Sequence, residues 1–100
     1  MRQVTYTQTI LDTVTANMNI DTTRIYAVGF SNGAGLVNLL ACLPSMAQTF
    51  AAFATSSPAL YSTSFPSGGC NPGVPVAIID FHGLNDGVVV CATTCSVAAR

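Results

Sequence analysis

Val4, Thr7, Leu11, Val14 and Met18 recur at steps of three and four residues, which predicts a helix over residues 3–18 with these positions on one face. Asn19-Ile20-Asp21 breaks the pattern. A nearly continuous apolar run follows from Arg24 to Phe30, the pattern of a parallel strand buried on both faces. After Ser31-Asn32-Gly33 the helical period returns with Leu36, Leu40 and Leu43, flanked by Val37 and Leu39, and Pro44 is expected to end that helix. Phe50–Thr55 reads as a second strand and Val74–Phe81 as a third, with Pro75 near its start, where proline is tolerated. Between them, residues 56–73 are a loop rich in Pro, Ser and Gly, and His82–Gly87 forms a turn. The order helix, strand, helix, strand, loop, strand is that of an α/β fold with about three parallel strands and flanking helices. Its outer strands would present apolar, uncharged edges open to association.

Composition narrows what such a fold can do. Half of the 100 residues are hydrophobic and only 7% are charged, namely Arg2, Arg24, Arg100, Asp12, Asp21, Asp80 and Asp86. Lys, Glu and Trp are absent. This excludes intrinsic disorder, which needs low hydrophobicity and high charge. Three scattered arginines do not make a nucleic-acid surface. No apolar stretch approaches the ~20 residues of a membrane span.

Gly29-Phe30-Ser31-Asn32-Gly33 matches G-x-S-x-G between a predicted strand and a predicted helix. That context is the nucleophile elbow, where a serine on a strained turn projects its hydroxyl above the sheet. Glycines at positions 29 and 33 are expected to avoid collision with the neighbouring strand and helix. The backbone N–H of Asn32 would supply one oxyanion donor, aided by the positive end of the helix. The bland alternative is an ordinary glycine-rich strand-to-helix turn.

His82-Gly83-x-x-Asp86 follows the third strand. A carboxylate in that loop is where an α/β-hydrolase carries the acid of its triad, in the chain order Ser, Asp, His. Asp86 would orient the base and stabilise its imidazolium. The alternative for Asp86 is a turn aspartate. His82 is the single histidine, but it precedes the acid in the chain, so it is expected to hold the loop by hydrogen bonding rather than act as the base. The base and the second oxyanion donor are therefore expected outside these residues.

With Asp21-x-x-Arg24-Ile25-Tyr26, Gly29-x-Ser31-Asn32-Gly33-Ala34-Gly35, Leu40-Ala41-Cys42, Phe50–Ala54 and Pro75-Val76 through Asp86, the chain resembles the secreted feruloyl esterase and polyhydroxybutyrate depolymerase-like branch of the α/β-hydrolases, similar to carbohydrate esterase family 1. The resemblance covers most of residues 1–90. It implies a central piece of a catalytic domain, with strands before Met1 and a histidine after Arg100. It also implies a serine carboxylic-ester hydrolase acting through an acyl-enzyme on aryl or acyl esters of plant polysaccharide, with Ser31 as nucleophile and Asp86 as acid. The chain by itself would then be inactive. The pattern past Asp86, Val88-Val89-Val90-Cys91, departs from that of the family. Alternatives from other classes are a non-catalytic truncated paralogue or binding fragment, a polyhydroxyalkanoate depolymerase, a serine peptidase and an acyltransferase.

Four cysteines, Cys42, Cys70, Cys91 and Cys95, point to an oxidising compartment and disulfides, hence to secretion. Free buried thiols are the bland reading. A metal site would want a C-x-x-C pair or more than one histidine, and nothing points to a metal or organic cofactor. The first eight residues lack the basic and apolar segments of a secretory leader, as in the middle of a longer chain. On the fold implied by the resemblance, Cys42 ends the elbow helix toward the amino edge of the sheet and Cys70 precedes the third strand at that same edge. A Cys42–Cys70 bridge is thus expected among three connectivities, with Cys91 and Cys95 pairing together or with other parts of the chain. Tyr61 and Phe65 would either line an aromatic subsite or cover the core.

Overall fold

A computed structural model describes residues 2–60 and 65–91. Its elements run α1 (Arg2–Asn17), β1 (Tyr26–Phe30), α2 (Asn32–Cys42), α3 (Pro44–Thr49), β2 (Ala52–Ser56) and β3 (Ile78–Phe81). The strands form one parallel sheet in the order β1-β2-β3. This is the arrangement of three parallel strands with flanking helices that the hydrophobic pattern predicts.

The helix α3 was not expected. Pro44 does end the α2 pattern, but it also occupies the first turn of the next helix. Its missing N–H costs nothing there and its fixed φ favours the helix. Leu43, at φ −99 and ψ 127, is the extended joint between the two. Together α2 and α3 supply the long crossover that two parallel strands require.

Each strand is shorter than its apolar run. At β1 the chain is still turning at Arg24, whose N–H donates to Asp21 O at 3.1 Å and whose guanidinium meets the Asp21 carboxylate at 3.4 Å. At β3, Ile78 pairs with Phe53 and the Ala77 carbonyl still accepts from Phe53 N–H at 2.9 Å, so residues 74–76 run back past the start of β2.

The core lies on one face of the sheet. Ala27 and Phe53, level in the register, pack with Val37, Leu40, Ala41, Met46 and Phe50 from the helices. The Phe50 and Phe53 rings stand 5.4 Å apart and tilted by 57°, a favourable aromatic geometry. Val4 and Leu11 bring α1 against this cluster, although Val14 and Met18 remain exposed.

The opposite face corrects the expectation of strands buried on both sides. Tyr26, Val28 and Phe30 on β1, with Ile79 and Phe81 on β3, are all at least half exposed. Strand alternation places them together, away from α2. The described chain covers one face of a sheet that is apolar on both.

No helix lies between β2 and β3 among the described residues. This connection is tied to α2 by a disulfide between Cys42 and Cys70, 28 positions apart. Closing a loop of that size contributes roughly 3–4 kcal/mol through the unfolded chain. Asn71 N–H also donates to Cys42 O at 3.3 Å. Cys91 is disulfide-bonded too, while Cys95 and Tyr61 lie outside the described residues. Phe65 borders an apolar groove of about 480 Å³ with Cys42, Cys70, Val76 and Ile78, and neither Ser31 nor Asp86 lines it.

Candidate active site

Ser31 sits between the last residue of β1 and the first of α2, at φ 57 and ψ −118. A residue with a Cβ rarely adopts a positive φ, and such strain persists only where the surroundings hold it. Both peptide groups of Ser31 are held. Its N–H donates to Ser56 O at 2.9 Å, and its carbonyl accepts from Gly35 N at 3.0 Å and Ala59 N at 3.1 Å. The side chain makes no cap hydrogen bond to the helix, unlike a serine placed to start one. Asn32 opens α2, where the first backbone N–H groups have no partner within the helix.

The glycines around this turn behave unequally. A Cβ on Gly29 would stand 2.4 Å from Gly33 O and 2.7 Å from Ala34 N, so β1 touches the first turn of α2 backbone to backbone. Gly33, expected to be equally constrained, has nothing within 4 Å of a Cβ. β1 is the edge strand of the sheet among the described residues. Gly35 carries the second close approach instead, with its Cβ position 2.3 Å from Ala59 O.

Asp86 stands in the loop after β3, and β3 itself lies two strands from β1, roughly 10 Å at ordinary strand spacing. Its Oδ1 accepts from the N–H groups of Val88 and Val89, both at 2.9 Å. Its own N–H donates to Gly83 O at 3.1 Å. The Val89 amide, then the Val88 amide, holds this carboxyl below the usual carboxylate value, with smaller help from the Ser57 hydroxyl and from His82. The carboxyl is more acidic folded than unfolded, so the stability it contributes is present above the unfolded value near ~3.9. That contribution fades as pH falls through the lower folded value. In acid titrations between about pH 5 and pH 2, Asp86→Asn is expected to remove this part of the pH dependence.

His82 has a side chain only 4% exposed, beside the Asp86 loop. Its Nε2 lies 2.6 Å from Val89 O and 3.7 Å from Asp86 Oδ2. A carbonyl only accepts, so Nε2 carries the hydrogen and ties the two ends of the loop together. The buried Nδ1 has no partner among the described residues. Sequence reasoning did not single out two groups near the site, the Ser57 hydroxyl and the buried Thr55, whose Oγ1 donates to Asp80 Oδ1 at 2.8 Å. Their only signal is position, at and just beyond the end of the central strand. Among the described residues, no three His, Cys, Asp or Glu side chains gather as metal ligands. Among the described residues, no helix is long and apolar enough to cross a membrane.

Comparison with known proteins identifies the family. Feruloyl esterase B of Piromyces equi is 36% identical over 87 residues, covering 87% of this chain and 16% of that protein. Feruloyl esterase D of Neurospora crassa is 39% identical over 87 residues, covering 86% of this chain and 27% of its own length. Probable feruloyl esterase C of Aspergillus clavatus is 36% identical over 87 residues, with 86% of this chain and 29% of that protein covered. The chain thus spans less than a third of the length of each of these relatives. A profile of the phospholipase/carboxylesterase family matches residues 1–98. With its three parallel strands, its strained serine turn and that match, the chain belongs to the phospholipase/carboxylesterase family of α/β-hydrolases.

Proposed function

We propose that this chain is the nucleophile-and-acid segment of a single catalytic domain in a longer, secreted serine esterase of the feruloyl esterase kind. Its substrates are aryl or acyl esters attached to plant polysaccharide. Ser31 attacks the ester carbonyl through Oγ, and the oxyanion that forms is met by the N–H of Asn32 at the positive end of α2. A histidine from polypeptide outside these residues takes the serine proton and passes it to the leaving alcohol. Asp86 accepts a hydrogen bond from that imidazole and stabilises its charged form. The acyl group then rests on Ser31 until water, activated by the same histidine, releases the carboxylic acid.

The observation that carries this is the backbone of Ser31. A positive φ, held from three directions at the head of a helix, presents a hydroxyl that does not cap that helix. The uncovered apolar face supports a longer domain, because patches of this kind on soluble proteins are normally buried or bound. The two disulfide-bonded sites, at Cys42–Cys70 and at Cys91, support secretion.

The test is turnover by the purified 100-residue chain on 4-nitrophenyl acetate. Its only histidine is committed to the Asp86 loop, so wild type and Ser31→Ala are expected to hydrolyse the ester equally and at no more than residual rates. Ordinary enzymatic turnover that depends on Ser31 would contradict the external base and return that role to His82.

A further inference from the structure

Gly35 is an unfavourable residue for its place in the chain. It lies in the first turn of α2 and its φ is not positive, so the backbone conformation does not call for glycine. Glycine is also a poor helix former. What calls for it is a neighbour. A Cβ on Gly35 would collide with the carbonyl oxygen of Ala59, so the segment leaving β2 rests directly on the helix backbone.

That segment is held on its own account. Phe30, Ser56 and Phe81 are level in the register, so Ser31, Ser57 and His82 are the first residues beyond the carboxyl ends of the three strands. Ser57 N–H donates to Phe81 O at 2.8 Å, and its φ of 49 turns the chain so that the next residues meet the start of α2. Pro58 is fully buried and Ala59 is buried.

The consequence falls on the peptide that joins Ser31 to Asn32. Its carbonyl accepts two hydrogen bonds, from Gly35 N–H at 3.0 Å and from Ala59 N–H at 3.1 Å. The first is an ordinary bond of the helix. The second comes from outside it. This peptide is trans and planar, so its N–H, which is that of Asn32, points opposite to its carbonyl. Fixing the carbonyl from two sides therefore fixes the direction of the Asn32 N–H. Hydrogen bonds accepted by an amide oxygen also polarise the N–H of the same amide and strengthen it as a donor.

We propose that the Ala59 amide, seated against α2 by the lack of a side chain at Gly35, is a positioning group that aims and polarises the Asn32 N–H toward the oxyanion. This rests on the roles given above to Ser31 and Asn32. Such a group contributes to rate rather than to substrate binding, because the oxyanion donor is fully used only as charge develops in the transition state.

Two variants test it. Replacing Ala59 by lactic acid turns the amide into an ester, which removes the N–H and keeps the shape. Gly35→Ala pushes the same amide away from α2. In NMR spectra of the 100-residue chain, the Asn32 amide nitrogen is expected to move upfield in both, because the preceding carbonyl has lost a donor. Circular dichroism melts check folding, and the ester variant decides the matter if Gly35→Ala fails to fold. In the longer esterase proposed above, both variants are expected to lower kcat for 4-nitrophenyl acetate about tenfold with little change in KM. Inhibition by phenylboronic acid, which becomes tetrahedral on a serine Oγ and places an oxygen where the oxyanion forms, is expected to weaken by a similar factor. An unmoved Asn32 resonance in the folded ester variant, or an unchanged kcat there, overturns the proposal. Hydrolysis that survives Ser31→Ala, with the Asn32 resonance still moving in the ester variant, removes the ester-hydrolase reading instead.

Discussion

Replacing Ser31 with alanine in the longer esterase proposed above is expected to lower kcat by about 10⁶-fold, near the limit set by losing the nucleophile of a triad. The acyl-enzyme cannot form, and what remains is substrate binding and the oxyanion donors, worth ~10³–10⁴ over water. Stability should hardly change. Alanine meets the same backbone strain at φ 57, and the three hydrogen bonds that fix residue 31 are all made by its peptide groups. Steady-state hydrolysis and a thermal melt of the same preparation therefore separate chemistry from folding. A variant with intact activity would place the nucleophile elsewhere.

Gly29→Ala is expected to have the opposite signature, a loss of the fold itself. The added methyl would sit 2.4 Å from one backbone oxygen and 2.5 Å from its carbonyl carbon. No rotamer change relieves a clash with backbone, so β1 and α2 must separate. Overpacking of ordinary cores costs about 1–3 kcal/mol, and this contact should exceed that range. Much of the stability of a small domain, ~5–15 kcal/mol in all, would go with it. Gly33→Ala is the control. Open space surrounds that position, and a glycine-to-alanine change inside a helix stabilises by roughly 0.5–1 kcal/mol. Urea unfolding of the chain followed by circular dichroism should show Gly29→Ala largely unfolded without denaturant and Gly33→Ala at least as stable as wild type.

That contrast also marks what can be read from the sequence. G-x-S-x-G predicts a strained turn from residue types, and the turn at Ser31 has the expected backbone. Which glycine is crowded depends on neighbours that the motif does not contain. Gly29, on β1, is crowded by the first turn of the helix that follows, a local effect. Gly33 faces open space, and Gly35 is crowded by Ala59, which is 24 positions away and invisible to any local pattern. The helix after Pro44 was hidden for a different reason. Proline ends one helix and begins another with equal ease, and six residues carry too little periodicity to decide. Apolar runs located all three strands, yet they overran the ends because hydrophobicity does not report where a pairing partner stops. Burial on both faces could not be read at all, since it depends on chain that covers the second face. Ser57 looks like any serine in a Ser/Pro loop until the register places it between Ser31 and His82.

One measurement tests the central claim most directly. The longer esterase would be mixed with excess 4-nitrophenyl acetate, quenched in acid within the first turnover, and digested for peptide mass mapping. The account predicts one acetyl group per chain, located on Ser31, and its disappearance after the substrate is exhausted. An acetyl group on another residue, or rapid hydrolysis with no covalent acyl intermediate in Ser31→Ala and wild type alike, would contradict it.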